Sequence, residues 1–386
     1  MRLDAATLDA LRPVAESHGL LRLGCVRLDD PGFEPARRRL EAYLDAGKQG
    51  EMEFLERTRA LRARPEGMLE GAKSVLVALV PYRGEPGPIA RYAQWADYHT
   101  EIHQRWLSFV PALEARFPGM RSLVCVDTKP LLERAAAVLA GLGSLGKNGC
   151  LIAPGLGSYV LIGALLIDLE FEGTRRTEVE RETKPPSELG TVDGRSDAPS
   201  DAGDEARADA SPFPDAFGVC GDCRRCLDAC PTDAFDAPGD LDARACISYL
   251  TIERRGIVDP SVAEKIGERV AGCDVCQEVC PHNFSPTREA RVPAQVWLSK
   301  PPGRRRDPDL VHLATLGNNQ HRGFVKNTAL NRIPRRALRR NAIIALGNRD
   351  APLSAEEREA LERASRDAEP SVAAAARWAL DRRDAR

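Results

Sequence analysis

Two runs decide how this chain is read: CGDCRRCLDACP at residues 220–231 and CDVCQEVCP at residues 273–281, with a solitary Cys246 between them. Together they hold eight of the eleven cysteines, which makes the spacing, rather than any one thiol, the informative feature. Where a CxxCxxCxxxCP run occurs twice, three close cysteines wrap one iron-sulfur cubane and the fourth, just before proline, reaches the other. That rule assigns Cys220, Cys223, Cys226 and Cys280 to one 4Fe-4S cluster. It assigns Cys230, Cys246, Cys273 and Cys276 to a second, with Cys246 replacing the first cysteine of the second motif. Structural zinc is the alternative for paired CxxC units, but one zinc ion needs two pairs and leaves the third cysteine and the Cys-Pro endings unused. Disulfides would require an oxidising compartment.

With 386 residues, the chain is long enough for two or three cores. No apolar run approaches membrane-spanning length. The first residues lack the basic region, apolar stretch and cleavage site of a signal peptide and lack a twin-arginine signal, so a cytoplasmic protein is expected. A net charge of -2 assigns no partner, and any such role must come from local asymmetry.

Outward from the cysteines, residues 1–172 alternate helix-like and strand-like patterns. Apolar positions recur at helical spacing over 4–18, 34–47, 51–61, 92–117 and 131–142. Strands are expected at 20–28, 74–81, 123–127 and within 159–171, and the unbroken apolar run 75–80 suits a strand buried on both faces. This alternation predicts an α/β domain here, within a chain of mixed α+β / α/β multidomain class. Residues 173–216 carry eleven acidic and six basic residues with few apolar ones, the composition of a disordered acidic insertion. A ferredoxin-like two-cluster domain is expected over 217–290.

Beyond it, residues 300–349 contain twelve Lys and Arg against two Asp, an excess suited to nucleic-acid phosphates or to a solvated helix face. The Ala-rich helical periodicity that follows predicts a basic, HEAT-like helical domain over 291–386.

Gly141, Gly143 and Gly146 followed by Lys147 imitate a dinucleotide or phosphate loop. Such a loop must follow a strand and open a helix, whereas this one follows a helix and leads to a strand. A helix C-terminus, a tight turn or close backbone approach is the expected use. Asp127, at the end of an expected strand, stands either as ligand-facing chemistry or as a cap for the helix after Pro130. Cys25, Cys125 and Cys150 fall outside the cluster pattern and read as packing residues.

The chain resembles the epoxyqueuosine reductases, cobalamin-dependent iron-sulfur enzymes that complete queuosine synthesis on tRNA. The resemblance is carried by MEFLER (52–57), GAKSV (71–75), ARYA (90–93), DYH (97–99) and VDTKPLLERAAAVLAGLGSLGKN (126–148). It continues through the cysteine runs and RNAIIALGN (340–348). It implies two 4Fe-4S clusters, a cobalamin between the first domain and the cluster domain, Asp127 as proton donor, and Arg57, Lys147 and Ser248 lining the corrinoid. It also implies Arg254 and Arg255 near the substrate.

A donor role for Asp127 requires a neutral carboxyl, and hence a pKa raised by burial. Arg335, Arg336, Arg339 and Arg340 are expected to hold the phosphates of the tRNA anticodon stem-loop. An external low-potential electron donor, a monomeric chain and no membrane partner complete the expectation. Lys129 stands where the family has glycine, beside the acid, and the 173–216 insertion is longer than usual. The rival readings are a reductive dehalogenase-like enzyme, a ferredoxin-like electron carrier with an interaction repeat, and an RNA-binding protein with structural clusters.

Overall fold

The computed structural model describes residues 1–173, 217–284, 292–298 and 308–385. The expected insertion, apart from Gly173, and the basic residues Lys300, Arg304, Arg305 and Arg306 lie outside the described residues.

The apolar run becomes the strand Ser74–Pro81, buried at every position. Its neighbours are Leu21–Arg27 on one side and Val160–Ile167 on the other, with Ser122–Cys125 completing the order. All three pairings are antiparallel. The α/β expectation is therefore corrected to an α+β arrangement for this sheet. Alternation along the sequence does not fix strand direction when connections such as 28–73 and 82–121 are long enough to return the chain either way.

Both sheet faces are covered, which is why the central strand reads as continuously apolar. One face packs against the helices Ala5–Ser17 and Tyr98–Glu114 through Leu8, Leu11, Ile102, Trp106 and Phe109. The other receives Phe33 and the helix Glu133–Leu139. Gly163 permits the closest approach: a Cβ there would stand 2.5 Å from Ile102 and 2.6 Å from Trp106. Trp106 is fully buried, and truncating such a side chain to alanine costs about 3–5 kcal/mol.

The C-terminal helices do not build a core of their own. Leu338, Ile343 and Leu346 of the helix Arg335–Asn348 share one apolar cluster with Ile247, Leu250, Ile266 and Val270 of the cysteine-rich segment. The helices Ala355–Ala364 and Pro370–Asp384 pack onto the same cluster. The cysteine-rich segment also docks on the first domain, where Gln277 Nε2 donates to Ser158 O (2.9 Å) and Ser158 N donates to Asn283 Oδ1 (2.7 Å). Among the described residues, no helix is long and apolar enough to cross a membrane.

Candidate active site

Among the described residues no three side chains stand as a ready-made metal site, but the thiols do lie within electrostatic reach of one another. Cys220, Cys280 and Cys223 act electrostatically on Cys226, whereas Cys273 and Cys230 act on Cys246, and Cys246 and Cys273 on Cys276. The short helices Arg225–Asp228 and Val275–Glu278 follow from the tight CxxC spacings. Backbone donors face the sulfurs: Ala234 N lies 3.4 Å from Cys230 Sγ, and the amides of Tyr249 and Ser248 point at Cys246. Two four-thiol sets with amide donors suit cubanes, whose sulfurs accept such bonds.

Cys150 departs from expectation. Cys25 and Cys125 pack in the sheet as expected, but the Cys150 thiol hydrogen-bonds with Cys276 and belongs to the surroundings of the second set. Asn148 braces the same loop, donating to Cys276 O (3.2 Å) and accepting from Cys150 N (3.1 Å). The glycine run behaves as a turn. Gly141 is left-handed just beyond the helix Glu133–Leu139, and a Cβ on Gly143 would strike Ile152 O at 2.4 Å.

Asp127 lies two residues past the strand Ser122–Cys125, with a positive φ of 50°. Thr128 N donates to Val126 O across it, closing a γ-turn that is strained for any residue with a Cβ. The capping alternative fails on geometry: the helix Glu133–Leu139 has no side-chain cap, and the Asp127 carboxylate points elsewhere. Its Oδ2 accepts from Tyr98 Oη (2.8 Å) and lies 3.3 Å from His99 Nε2. His99 Nδ1 in turn lies 2.7 Å from Asp97 Oδ1. Asp127 N donates to Glu133 Oε1 (2.8 Å), which fixes the turn from the other side.

These contacts overturn the expected protonation. Burial pushes the Asp127 carboxyl up, but hydrogen bonds from His99 and Tyr98, with the charges of His99 and Arg332, outweigh it and hold it at about 2. The side chain keeps 56 % of its surface open, so water also favours the ionised form. Burial pushes the His99 imidazolium down, yet hydrogen bonds to Asp127 and Asp97 raise it to about 9. At neutral pH the proton rests on His99. Burial, joined by the charge of Asp127, raises Glu133 to about 7.

A packed path joins this acid site to the second thiol set. The Tyr98 ring meets Tyr92 at 6.0 Å, and Arg91 N, one residue earlier, donates to Asp274 Oδ2 (2.7 Å) between Cys273 and Cys276. Arg332 approaches from the helical part, pairing with Glu253 and lying 4.8 Å from the centre of the Phe54 ring.

The other expected site residues are placed unevenly. Arg57 is exposed at the end of the helix Glu53–Arg57, and Ser248 is half-buried beside Cys246. Gln49 Oε1 is buried with no hydrogen-bond partner among the described residues. Lys147 instead donates to Gly221 O (2.6 Å), within the first thiol set.

Arg254 pairs with Glu51 (2.9 Å), whose other oxygen accepts from Arg255 N (2.8 Å). Arg336 is exposed, and Arg335 reaches Leu316 O (3.0 Å). Arg339 is paired with Asp367 (2.7 Å) at 11 % side-chain exposure, and Arg340 has no exposed surface. The expectation that Arg339 and Arg340 grip phosphate is corrected, because Asp367 pairs with Arg339 and the 250–256 segment covers Arg340, whereas Arg336 on the first turn of the same face stays open.

Sequence reasoning missed Asp97, Tyr98, His99, Glu133 and Arg332 as site residues. The DYH run was visible, but nothing local shows that it folds against Asp127.

Comparison with known proteins agrees with this arrangement. The 4Fe-4S double cluster binding domain family matches residues 219–283, and the family described as Epoxyqueuosine reductase QueG, DUF1730 matches residues 62–128. The epoxyqueuosine reductase of Gloeobacter violaceus is 33% identical over 354 residues, spanning 89% of this chain and 97% of the relative. A crystal structure of epoxyqueuosine reductase with an epoxyqueuosine-modified tRNA-Tyr stem loop superposes with a TM-score of 0.73 at 26% identity, covering 97% of this chain and 89% of that one. The Bacillus subtilis enzyme, solved with its catalytic aspartate loop swung out of the active site, gives a TM-score of 0.71 at 25% identity, covering 97% and 89%. With two thiol sets, an aspartate-histidine site joined to one of them, and relatives matching along nearly the whole chain, this protein belongs to the epoxyqueuosine reductase family.

Proposed function

We propose that this chain reduces epoxyqueuosine to queuosine in a tRNA anticodon loop, and that Asp127 with His99 forms its proton-delivering pair. The observation that carries this reading is the Asp97, His99, Asp127 chain of contacts, ending in a strained and open carboxylate that is linked through Tyr98 and Tyr92 to the second thiol set. Removing the epoxide oxygen to leave an alkene and water consumes two electrons and two protons.

When bound, two 4Fe-4S clusters and cobalamin supply single low-potential electrons and a reduced cobalt centre for the carbon-oxygen cleavage. Arg57 and Ser248 would hold the corrin rim, with Gln49 joining them. The eight cysteines would hold the clusters. His99 keeps one proton at neutral pH and shares it with Asp127 Oδ2. As negative charge develops on the opening epoxide oxygen, the proton passes from Nε2 to the carboxylate and on to that oxygen, and a second proton, taken up from solvent by the same His99–Asp127 pair, lets the resulting hydroxyl leave as water. Tyr98 orients the carboxylate, and the γ-turn holds it outward.

Residues 1–172 would serve as the cobalamin-binding catalytic part, 217–290 as the electron relay and 291–386 as a HEAT-like RNA support. The modified base must leave its stack to react, so the stem would be held by exposed cations such as Arg336, with Arg254 and Arg255 nearer the loop. The enzyme would act in the cytoplasm as a monomer fed by an external donor.

The test is anaerobic incubation of the cluster-loaded protein with cobalamin, reductant and tRNA carrying epoxyqueuosine, followed by nucleoside mass spectrometry. Queuosine is expected. Its absence, with clusters intact and tRNA bound, would sink the assignment.

A further inference from the structure

One buried cation has no part in the chemistry above. Arg340 sits on the helix Arg335–Asn348 with 0% exposure, and its guanidinium spends all five N–H donors inside the protein. Nη1 donates to Arg254 O (3.0 Å) and Gly256 O (2.8 Å). Nη2 donates to Leu250 O (2.7 Å) and Asn341 Oδ1 (2.9 Å), and Nε to the same Asn341 oxygen (3.1 Å). Asn341 Nδ2 extends the network to Thr251 O (2.7 Å) and Val270 O (2.8 Å). Thr251 Oγ1 closes it by accepting from Gly272 N (2.9 Å), the residue before Cys273.

The targets of these bonds are specific. Leu250 O lies near the end of the helix Ile247–Ile252, whose first turn points amides at Cys246. A guanidinium there satisfies carbonyls left free at a helix C-terminus and complements its partial negative charge. Arg254 and Gly256 flank Arg255 in the segment that Glu51 grips from the first domain. Among the described residues, no carboxylate pairs with Arg340. A buried cation held only by carbonyls and an amide is a costly way to fill space that methionine or leucine would fill, so its benefit lies in geometry rather than stability.

We propose that Arg340 is a positioning residue that transmits RNA docking on the C-terminal helices to the segment 254–256 and to the second cluster's ligand loop. Arg336 lies exposed one turn before the covered Arg340 on the same stripe of this helix, so a stem seated on Arg336 bears on the turn that Arg340 ties to the segment 254–256. This inference rests on the proposed tRNA substrate.

The experiment is a double-mutant cycle on binding of an anticodon stem-loop to cluster-loaded protein, comparing Arg254→Ala in the wild-type and R340K backgrounds, with iron content and steady-state kinetics for each. R340K is expected to retain both clusters and to raise KM for tRNA about fivefold to tenfold with kcat changed less than about threefold. Arg254→Ala should cost about fivefold in affinity in the wild type and less than about twofold beside R340K, because the segment is then already released.

Equal costs in both backgrounds, or R340K binding as the wild type does, would overturn the proposal. If R340K fails to fold, R340Q takes its place, and loss of clusters in both would assign Arg340 to folding alone and likewise overturn it. Wild-type protein that does not bind the stem-loop would overturn the substrate reading together with this inference. A binding wild type with an additive cycle would overturn only the inference.

Discussion

The thiol cradle and the acid site, joined through Tyr98 and Tyr92, are held by opposite means. In the cradle the first assigned set draws three thiols from the run 220–226 and the second a close pair from 273–276, and nearby backbone amides face the sulfurs. The acid site assembles Asp97, Tyr98, His99, Asp127, Glu133 and Arg332, which come from separate segments and meet only because a sheet edge, a helix start and the helical part converge. The cradle concentrates its function in ligands that have no substitutes. The acid site spreads one function over several groups, each adjusting the proton affinity of the next. Loss in the cradle should therefore be all-or-none, and loss at the acid site graded.

The largest effect expected is that of Cys246→Ser. It should remove the second cluster, halving iron from about eight to about four atoms per chain, and abolish turnover. Unchanged iron by chemical assay would break the assignment of Cys246 as a ligand. Asp127→Asn should retain iron and tRNA binding yet lower the single-turnover rate about 100- to 1000-fold, the range for losing a positioned acid. A rate near the wild type would reduce Asp127 to an architectural residue.

His99→Gln should cost about 10- to 30-fold, since Asp127 keeps its place but loses its proton store. The pH profile sharpens this point. With His99 titrating at about 9, the wild-type rate should fall as pH rises through 9, and the variant should lose that limb. The stability effects have definite signs. His99, raised from 6.5, stabilises the fold fully below pH 6.5 and loses that contribution as pH rises through about 9. Asp127, lowered from 3.8, contributes above pH 3.8 and loses its contribution as pH falls through about 2. A thermal-melting series in which wild type and His99→Gln differ equally at pH 6 and pH 10 would contradict the pairing.

The smallest effect belongs to Glu133→Gln. The amide oxygen still accepts from Asp127 N, so turnover should drop only about twofold to threefold, while an inflection near pH 7 disappears. A hundredfold loss would show that Glu133 itself moves protons.

The comparisons bear on this contrast through the fold they share with the chain. The double cluster domain is recognisable in this chain over residues 219–283, and a solved relative is captured with its catalytic aspartate loop displaced.

The sequence by itself determined that a double-cluster domain is present, since the identity and spacing of eight cysteines are legible in it and the family match falls on the same residues. It also determined the central strand, because a run of apolar residues without alternation has one economical place, the middle of a sheet covered on both faces. It named Asp127 through resemblance but gave its protonation wrongly, because a carboxyl's charge state depends on neighbours contributed by residues 97–99 and 332, which no local pattern links to it. Only the tertiary structure decided that the sheet is antiparallel, that Cys150 touches the second thiol set, and that Arg340 is covered by its neighbours while Arg336 stays open. Motifs written in consecutive residues survive in the one-dimensional text, whereas burial and charge are properties of what folds against them.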